Sequence, residues 1–557
     1  MASIYIKAGS VIIKGPATDP AIQMWYDNEL IERERALNTY ATSIQNLPQM
    51  LEVYPVANQS LRDAATQELH RQAATQDLIE NGPAEGETYL VDGLWEHQKL
   101  GISLARINKR FAFFFDTRTG KTLTSINIMT EALKSGAVTR WLVVCPSAII
   151  PSWQDDIHKF MPMLKVATYF GTKKQKDEAL RTPCHIFIIS AEILAKNLEM
   201  LKAFKFGGCI VDESSKLKSH RSQISKAALE LSECIERWYI LSATPAPNGA
   251  HEYFIQMKTV DKYIFPTSRS KFVLKYFNNL SYNPTFEKLE LKPEMKEQFF
   301  NLIKTKAVYI DQGVMPTAGS ETVIYRYDLT EELRSIYDEF RKKAVVELQG
   351  GEKISTDQIA QINSKLSQIT SGFLIDTEAI KYNSLKKELG SKERHETVVP
   401  LASGNQRVQI LVDLLQSLNE APVVIWANFK QEFISIKQAL GDDCAIINGS
   451  VDVNEKHRII RAFKAGKIKY LVCHPLSLGM GVNLTEAHIA IYYSLNYSWE
   501  QLKQSSERIR GHIKVQPKKA IYYILAARGT IDEAIYSAVK NKKASSREFL
   551  AILEGGI

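Results

Sequence analysis

The sequence predicts an α/β protein with two parallel-sheet lobes in tandem, helical insertions between them and a small N-terminal accessory domain. Near-continuous apolar runs alternate with helical segments over residues 111–245, and the same alternation returns over about residues 405–545. Apolar runs separated by helices are typical of parallel strands that are covered on both faces. We therefore expect two separate sheets, each with helices on both sides.

The individual elements follow from the same pattern. Strands are predicted in the first lobe at 111–115, 141–145, 186–189, 209–211 and 238–241, and in the second lobe at 423–426, 445–447, 470–473, 489–493 and 520–525. Residues 122–133 place their apolar side chains on one helical face and end at Ser135-Gly136, which predicts a helix. Two more helices are expected at 331–348 and 355–371.

At 557 residues the chain exceeds a single core, and its composition changes along its length. We predict an N-terminal accessory module at 1–86, a first lobe at 87–262, a helical connector at 263–400 and a second lobe at 401–557. In the first of these, apolar runs at 4–8 and 10–14 flank Gly9-Ser10, which predicts a β-hairpin.

Composition narrows the class of protein. The six cysteines are scattered without a C-x-x-C pair, so a zinc site is not expected. We expect the cysteines to be reduced thiols of an intracellular protein. We find neither a membrane-length apolar run nor a secretion signal, and we expect a cytoplasmic protein of a bacterial cell or a phage-infected host. The net charge of +8 permits a polyanionic partner.

The first predicted strand runs into the turn Gly120-Lys121-Thr122, which is followed by a helix. This arrangement directs backbone N–H groups and a lysine at the phosphates of a nucleoside triphosphate. Lys121 is predicted to contact the β and γ phosphates, and Thr122 to ligate Mg2+. The loop is poor in glycine, because Phe115 stands where the usual pattern begins with glycine and Arg118 lies within the loop.

Asp212 and Glu213 follow the apolar run 209–211. In nucleotide-hydrolysing sites one such carboxylate holds magnesium and the other orients or deprotonates the attacking water. We assign these roles to Asp212 and Glu213, respectively. The alternative is an exposed acidic pair that opens a surface loop, but the position behind a buried strand favours the catalytic interpretation.

Ser242 and Thr244 follow another apolar run, in the segment 241–245. Small hydroxyl side chains at such a place can bond the carboxylates beside the γ-phosphate and respond to its loss. A Ser/Thr-Pro turn at the end of a strand is the alternative.

The order of these motifs resembles that of the Swi/Snf-like branch of the superfamily-two helicases and translocases, over about residues 90–545. Residues 94–101 resemble the adenine-reading segment of that family, with Gln98 at the glutamine position, and residues 242–248 resemble its TGTPxxN element. Segments around residues 143–153 and 188–192 resemble its DNA-contacting segments. The resemblance implies nucleic-acid contacts at Pro146, Ser147 and Ser190.

The second lobe carries further matches. Residues 327–337, 368–374, 424–429 and 447–450 resemble family segments, the second of them one that is common in compact phage and bacterial members. Residues 478–484 are similar to GxGxNL, and residues 504–508 open the arginine-finger motif. The resemblance implies two RecA-like lobes that hydrolyse ATP between them. It assigns nucleic-acid contacts to Asn428 and Asn483, and ATP binding to Gln98, Thr119, Gly120, Lys121, Thr122, Gly481 and Arg508.

The sequence also departs from the family. Arg508 is the expected catalytic arginine finger, but Gly511 stands where the second finger is usual and the nearest arginine is Arg510. Asp212-Glu213 is followed by serines without the histidine of many relatives. Two tryptophans, Trp153 and Trp426, are interpreted as core or strand-end packing instead of base-stacking platforms.

Taken with the resemblance, the sequence predicts an ATP- and Mg2+-dependent translocase on double-stranded DNA, with branched or fork DNA as a candidate substrate. The expected setting is DNA replication, recombination or repair, including branch migration, and the expected state is a monomer. A strand-separating DNA or RNA helicase is the first alternative. A non-catalytic nucleic-acid-binding scaffold is the second, and only the atypical loop and the finger spacing favour it.

Overall fold

A computed structural model describes residues 3–7, 10–27, 30–33, 39–53, 59–280, 289–311, 313, 317–350, 356–375, 398–401, 406–419, 422–478, 482–511, 513 and 516–540. The chain divides into two compact units near residue 315. The division into four domains predicted from the sequence stays a prediction.

The helices of the first unit are α1 (Pro20–Asp27), α2 (Leu47–Val53), α3 (Gln59–Asn81), α4 (Glu96–Ile107), α5 (Lys121–Lys134), α6 (Ile150–Phe160), α7 (Lys173–Arg181), α8 (Leu198–Ala203), α9 (Gln223–Ser232), α10 (Tyr253–Val260), α11 (Arg269–Tyr276) and α12 (Lys296–Lys304). Those of the second unit are α13 (Glu331–Gly350), α14 (Thr356–Thr370), α15 (Gln406–Leu418), α16 (Lys430–Leu440), α17 (Val453–Lys464) and α18 (Trp499–Ser506). The chain is helical again at 531–540. Among the residues that the structure describes, no helix is both long and apolar enough to cross a membrane.

The N-terminal residues form a small four-stranded antiparallel sheet with strand order β1-β2-β4-β3. Its strands are β1 (Ser3–Lys7), β2 (Ser10–Lys14), β3 (Glu32–Arg33) and β4 (Thr39–Ser43). The first two pair antiparallel from Lys7 and Ser10 outward, which confirms the predicted hairpin. Trp25 from α1 is fully buried in the core beneath this sheet.

The larger sheet of the first unit has seven parallel strands in the order β13-β5-β10-β9-β6-β8-β7. They are β5 (Arg110–Phe115), β6 (Trp141–Cys145), β7 (Val166–Tyr169), β8 (Ile186–Ser190), β9 (Gly208–Val211), β10 (Arg237–Leu241) and β13 (Ala307–Ile310). The five strands predicted for this lobe are confirmed. A two-stranded antiparallel pair, β11 (Phe277–Asn279) and β12 (Leu289–Leu291), lies between β10 and β13 in the chain.

The N-terminal module packs on this sheet through buried polar contacts. Arg71 on α3 donates to the side chain of Asn108, which also donates to Thr75 at 3.0 Å. Ser43 donates to Asp261, which also accepts the Tyr263 backbone N–H at 3.1 Å and lies 3.9 Å from the Lys306 ammonium group. Burial lowers the pKa of Lys306, and the Asp261 carboxylate offsets part of that shift. Because these groups would be costly to bury alone, they fix the module on the first sheet.

The second unit contains a six-stranded parallel sheet with the order β14-β21-β20-β17-β19-β18. Its strands are β14 (Ser320–Tyr327), β17 (Val423–Trp426), β18 (Cys444–Ile447), β19 (Tyr470–Cys473), β20 (Ile489–Tyr492) and β21 (Ala520–Ala527), and a short antiparallel pair is formed by β15 (Phe373–Ile375) and β16 (Val398–Pro400). The five predicted strands and the predicted helices α13 and α14 are confirmed. Alternate residues of β17 enter two different cores, so both faces of the sheet are covered.

The region 263–400 contains α11, α12, α13 and α14, in agreement with the helices expected from the sequence, and also two strands of the main sheets that were not expected. Within it, β13 pairs with β5 of the first sheet and β14 pairs with β21 of the second. Both are edge strands, and β14 exposes most of its side chains. Strand β14 mixes polar and apolar residues, so it lacks the continuous apolar run by which the central strands are identified, whereas β13 is a run of four apolar residues between Lys306 and Asp311.

Candidate active site

The residues predicted to act in the first lobe meet at one edge of the seven-stranded sheet. Strands β5, β6, β8, β9 and β10 run parallel, so the loops that follow their carboxyl ends lie at the same edge. These loops or strand ends carry Thr119, Gly120, Lys121, Thr122, Pro146, Ser147, Ser190, Asp212, Glu213, Ser242 and Thr244. The sheet thereby brings together residues as far apart in the chain as Thr119 and Thr244.

The loop between β5 and α5 is held by its own polar groups. Asp116 Oδ1 accepts the backbone N–H of Thr117 at 2.6 Å, and the buried Thr119 hydroxyl donates to the Asp116 carbonyl at 2.7 Å. Arg118 adopts a left-handed φ of +63°. Phe115, which replaces the usual first glycine, ends β5 and is fully buried. The loop therefore begins at Asp116, one residue after the position of the usual first glycine. Hydrogen bonds made by the side chains of Asp116 and Thr119 stabilise its tight turn.

Gly120 is required at the start of α5. Its φ is +82°, and a Cβ atom there would lie 2.0 Å from Gln98 Nε2. Gln98 itself is buried, accepts the Trp95 backbone N–H at 2.9 Å and donates to the Gly120 carbonyl at 3.4 Å. The predicted adenine-reading segment at the start of α4 therefore contacts the predicted phosphate-binding loop between β5 and α5 directly.

Lys121 is the first residue of α5, and its ammonium group lies at the loop. Its Nζ donates to the carbonyl oxygens of Phe115 at 2.9 Å and Asp116 at 3.0 Å. Thr122 follows in the first turn and is half-buried. The lysine is therefore placed where a phosphate group over the loop would replace the carbonyl oxygens as acceptor.

Asp212 lies directly after β9 and is buried, with 8% of its surface exposed. Its Oδ2 accepts the indole N–H of Trp153 at 2.9 Å, and its Oδ1 accepts the backbone N–H of Glu213 at 2.9 Å. Burial raises the pKa of Asp212, while the charge of Lys121 and the Trp153 hydrogen bond offset part of the rise. The lysine and the carboxylate of the two motifs therefore interact electrostatically.

Glu213 has a left-handed φ of +56°, which is uncommon for a residue other than glycine. Strand β10 is the neighbour of β9, so Ser242 and Thr244 lie in the adjacent loop. The Ser242 hydroxyl accepts the Thr244 backbone N–H at 3.2 Å. The Thr244 hydroxyl oxygen is buried and has no hydrogen-bond partner within the described part of the chain. A buried, unsatisfied hydroxyl of this kind can bind a group that enters the site.

The donor set fits magnesium better than a transition metal. Over the residues described, no group of three or more His, Cys, Asp or Glu side chains could hold a metal ion. Magnesium needs only one or two protein oxygens, because substrate phosphates and water complete its coordination. Thr122 and the Asp212 carboxylate supply oxygens of the required kind.

In the second unit, Arg508 follows α18 and is buried, with 9% of its surface exposed. Its Nη1 donates to the Val482 carbonyl at 3.2 Å. Arg510 forms an ion pair with Glu507 at 3.3 Å. A Cβ atom on Gly511 would lie 2.6 Å from the Thr485 side chain. A side chain at position 511 would therefore require the buried Thr485 side chain to move.

The remaining predicted residues of the second lobe have different environments. Asn428 donates to the Ser494 carbonyl at 2.9 Å and accepts from Asn496 at 3.0 Å, so both ends of its amide bind within the protein. Asn483 is exposed and accepts the Thr485 backbone N–H at 3.0 Å. Gly481 lies outside the described residues.

Three side chains at the first-lobe site have roles that sequence reasoning missed. Trp153 is buried as predicted, as is Trp426, but Trp153 also binds Asp212. His97 contacts the Thr119 carbonyl at 2.7 Å, and burial lowers the pKa of its imidazole. Gln256 on α10 accepts from Ser214 at 2.8 Å. For Trp153 and His97, the only signal in the sequence is that each lies within a segment that resembles a family motif.

The fold and the site define the class of protein. A parallel sheet with a lysine-bearing loop after one strand and adjacent carboxylates after another, followed by a second parallel sheet, is the tandem RecA-like architecture of helicase-type proteins. Residues 112–372 match the SNF2-related domain, and residues 406–511 match the helicase conserved C-terminal domain. The chain belongs to the Swi/Snf-like family of superfamily-two helicases and translocases.

Relatives of known sequence are distant. An uncharacterized ATP-dependent helicase of Mycoplasma genitalium is 24% identical over 472 residues, which cover 81% of this chain and 42% of that protein. Protein p41 of Acyrthosiphon pisum secondary endosymbiont phage 1 is 23% identical over 450 residues, which cover 76% of this chain and 91% of the phage protein. The chain therefore spans less than half the length of the first of these relatives.

Among solved structures, the SWI2/SNF2 ATPase core of Sulfolobus solfataricus in complex with dsDNA matches with a TM-score of 0.38 and 19% sequence identity. The match covers 85% of this chain and 95% of the archaeal one.

Proposed function

We propose that this protein is an ATP-dependent translocase on double-stranded DNA, with branched or fork DNA as its substrate. The observation that carries the proposal is the convergence of two motifs at one end of a parallel sheet: Lys121, whose ammonium group lies at the loop after β5, and Asp212-Glu213 directly after β9. Family membership supports the choice of DNA translocation. We further infer that the protein acts as a monomer in the cytoplasm of a bacterial or phage-infected cell.

The residues of the site divide the work of hydrolysis. Lys121 and the backbone N–H groups at the start of α5 bind phosphate oxygens, and Gln98 binds beside them at the base end of the nucleotide. Glu213 orients the attacking water and accepts its proton. The family resemblance assigns to Arg508 of the second unit, with Arg510 as a candidate second finger, the stabilisation of charge in the transition state.

Thr122 and Asp212 would hold magnesium, which would neutralise the charge that develops on the phosphates during hydrolysis. Trp153 keeps one oxygen of Asp212 hydrogen-bonded and so fixes the direction of the carboxylate. Partners of this kind, which orient a metal ligand without touching the metal, strongly affect metal affinity.

The Trp153→Phe variant is expected to need more magnesium for ATP turnover. Phenylalanine keeps most of the buried aromatic volume but removes the donor to Asp212. Loss of such a partner typically costs roughly 10- to 100-fold in metal affinity or activity. The measurement is ATP turnover as a function of magnesium concentration at a fixed, saturating ATP concentration.

The matched control is Trp141→Phe, which also removes a buried indole donor, to the Met129 carbonyl at 3.2 Å. It is expected to lower thermal stability without changing the magnesium requirement. If both variants have the magnesium requirement of the wild type, the positioning role of Trp153 is wrong.

Lys121→Ala tests the enzymatic activity itself. The wild type is expected to hydrolyse ATP, and to do so faster with duplex DNA. The rate of ATP turnover should fall at least roughly 100-fold in the variant, because a stabilising charge is removed from the reacting phosphate. Lys134→Ala is the control, because Lys134 lies exposed in the last turn of the same helix. Equal turnover in wild type and Lys121→Ala would favour the non-catalytic scaffold.

Translocation on duplex DNA and strand separation differ in one assay. A translocase displaces a third strand from a triplex when ATP is present but leaves a forked duplex paired. A strand-separating helicase unwinds the fork. Comparing ATPase stimulation by duplex, single-stranded, forked and four-way DNA then tests the preference for branched substrates.

A further inference from the structure

Two loops of the site are joined by a buried glutamine on a separate helix. Strands β9 and β10 are parallel neighbours, and the loops after them carry Glu213 and Thr244. Gln256 on α10 is fully buried, and its side-chain amide reaches both loops. It is the contacts of this amide that connect the two loops.

The hydrogen-bonding capacity of the Gln256 amide is used on both sides. Its Oε1 accepts the Ser214 hydroxyl at 2.8 Å, and its Nε2 donates to the Pro245 carbonyl at 2.5 Å and to the Glu252 carbonyl at 3.0 Å. Ser214 is also fully buried. Because a buried polar group that loses its partner is costly, neither loop can move away from Gln256 freely.

The two bonded residues are direct neighbours of the reactive ones. Ser214 follows Glu213, whose backbone has the left-handed φ of +56°. Pro245 follows Thr244, whose hydroxyl has no partner among the residues described. A displacement of Glu213 on nucleotide hydrolysis would therefore reach the Ser242–Thr244 loop through one amide group.

We propose that Gln256 is a positioning residue that couples the carboxylate loop to the Ser242–Thr244 loop. These loops follow β9 and β10, at the same end of the sheet as the nucleic-acid contacts predicted after β6 at Pro146 and Ser147. The coupling would therefore connect ATP hydrolysis with DNA binding. This inference rests on the function proposed above. The competing interpretation is that the Ser214–Gln256 contact only stabilises the core. The two differ in what they predict for the ratio of DNA-stimulated to basal ATP turnover.

The experiment compares Gln256→Leu, Ser214→Ala and the double variant with wild type by ATP turnover with and without duplex DNA. Each single variant is expected to lower the stimulated-to-basal ratio by at least about fivefold, the lower end of usual couplings between sites, with KM for ATP unchanged. Because both substitutions break the Ser214–Gln256 contact, the ratio of stimulated to basal turnover should fall no further in the double variant than in either single variant.

Thr259→Val is the matched control on the same helix. Thr259 is fully buried, accepts the Trp238 indole N–H at 3.1 Å and donates to the Gln256 carbonyl at 2.7 Å, but neither bond reaches the two loops. It should lower thermal stability and keep the wild-type ratio. A ratio equal to wild type in Ser214→Ala and in folded Gln256→Leu overturns the coupling. Without DNA-stimulated turnover in the wild type, the proposed function and the coupling both fail.

Discussion

The Glu213→Gln variant is expected to bind ATP like the wild type and to hydrolyse it about 100- to 10,000-fold more slowly, the usual contribution of a positioned general base. Glutamine preserves the size of the side chain but cannot accept the proton of the attacking water. Glu213 lies between Asp212, whose carboxylate accepts its backbone N–H at 2.9 Å, and Ser214, which Gln256 holds. The substitution therefore changes the chemistry of the site while the backbone contacts on both sides remain.

Two measurements separate chemistry from binding. Turnover is followed by phosphate release, and binding by titration with a fluorescent ATP analogue. Glu178→Gln is the control, because Glu178 is an exposed carboxylate on α7, outside the loops that carry the site. If Glu213→Gln turns over ATP like the wild type while Lys121→Ala does not, the general base must be sought elsewhere, with Asp212 as the first candidate.

The central strands of both sheets could be predicted from the sequence, as could the edge strand β18, whereas the other three edge strands could not. Strands such as β6 and β8 are fully buried along their length, so each appears as an unbroken apolar run. The three parallel strands that were missed, β7, β13 and β14, are edge strands and are partly exposed. Strand β14 mixes polar and apolar residues, whereas β13 is an apolar run of four residues whose place in the sheet is shown only by its pairing with β5.

The candidate site shows the same division between local and tertiary information. Lys121 and Asp212 are predictable, because each follows a buried strand in a local motif and parallel strands place such motifs at one edge. Trp153 and Gln256 lie on helices packed against that edge, and nothing in their neighbouring residues shows which side chain reaches a carboxylate or a loop. Such contacts depend on how each helix is rotated about its own axis. The spacing of apolar residues shows which face of a helix is buried but not which single side chain reaches the site.

The second large effect is expected in the stability of the second unit. Arg407→Met should destabilise that unit by about 3–5 kcal/mol, because it breaks a buried ion pair and leaves one partner behind. Arg407 on α15 is 1% exposed and pairs with Asp532. Burial lowers the pKa of Arg407, but the Asp532 carboxylate and neighbouring hydroxyls more than offset this, so the pKa is raised.

The guanidinium group connects four parts of the unit. Besides Asp532, it donates to the Tyr327 hydroxyl at 2.7 Å at the end of β14, to Ser371 after α14 at 3.1 Å and to the Tyr493 carbonyl after β20 at 3.2 Å. Ser371 in turn donates to the fully buried Glu432 at 2.7 Å. Removal of the arginine therefore leaves several buried polar groups without their donor, each of which adds to the cost.

Calorimetry of the full chain measures the effect. A loss of this size lowers the melting temperature of a unit of this length by roughly 10 °C, at about 2–4 °C per kcal/mol. Arg326→Met is the control, because its ion pair with Glu533 at 2.9 Å is exposed and should contribute only about 0–1 kcal/mol. Equal shifts for the two variants would contradict the prediction.

Two further variants separate charge from geometry at this position. Arg407→Lys keeps the positive charge but has a single ammonium group, which cannot replace the planar fork that reaches Tyr327, Ser371 and Asp532 together. It should therefore recover only a small part of the loss. Adding Asp532→Asn to Arg407→Met removes the uncompensated charge while an amide oxygen can still accept the Ala527 backbone N–H, which Asp532 accepts at 3.1 Å. The double variant should be more stable than Arg407→Met alone, because the larger cost lies in the buried carboxylate that has lost its partner.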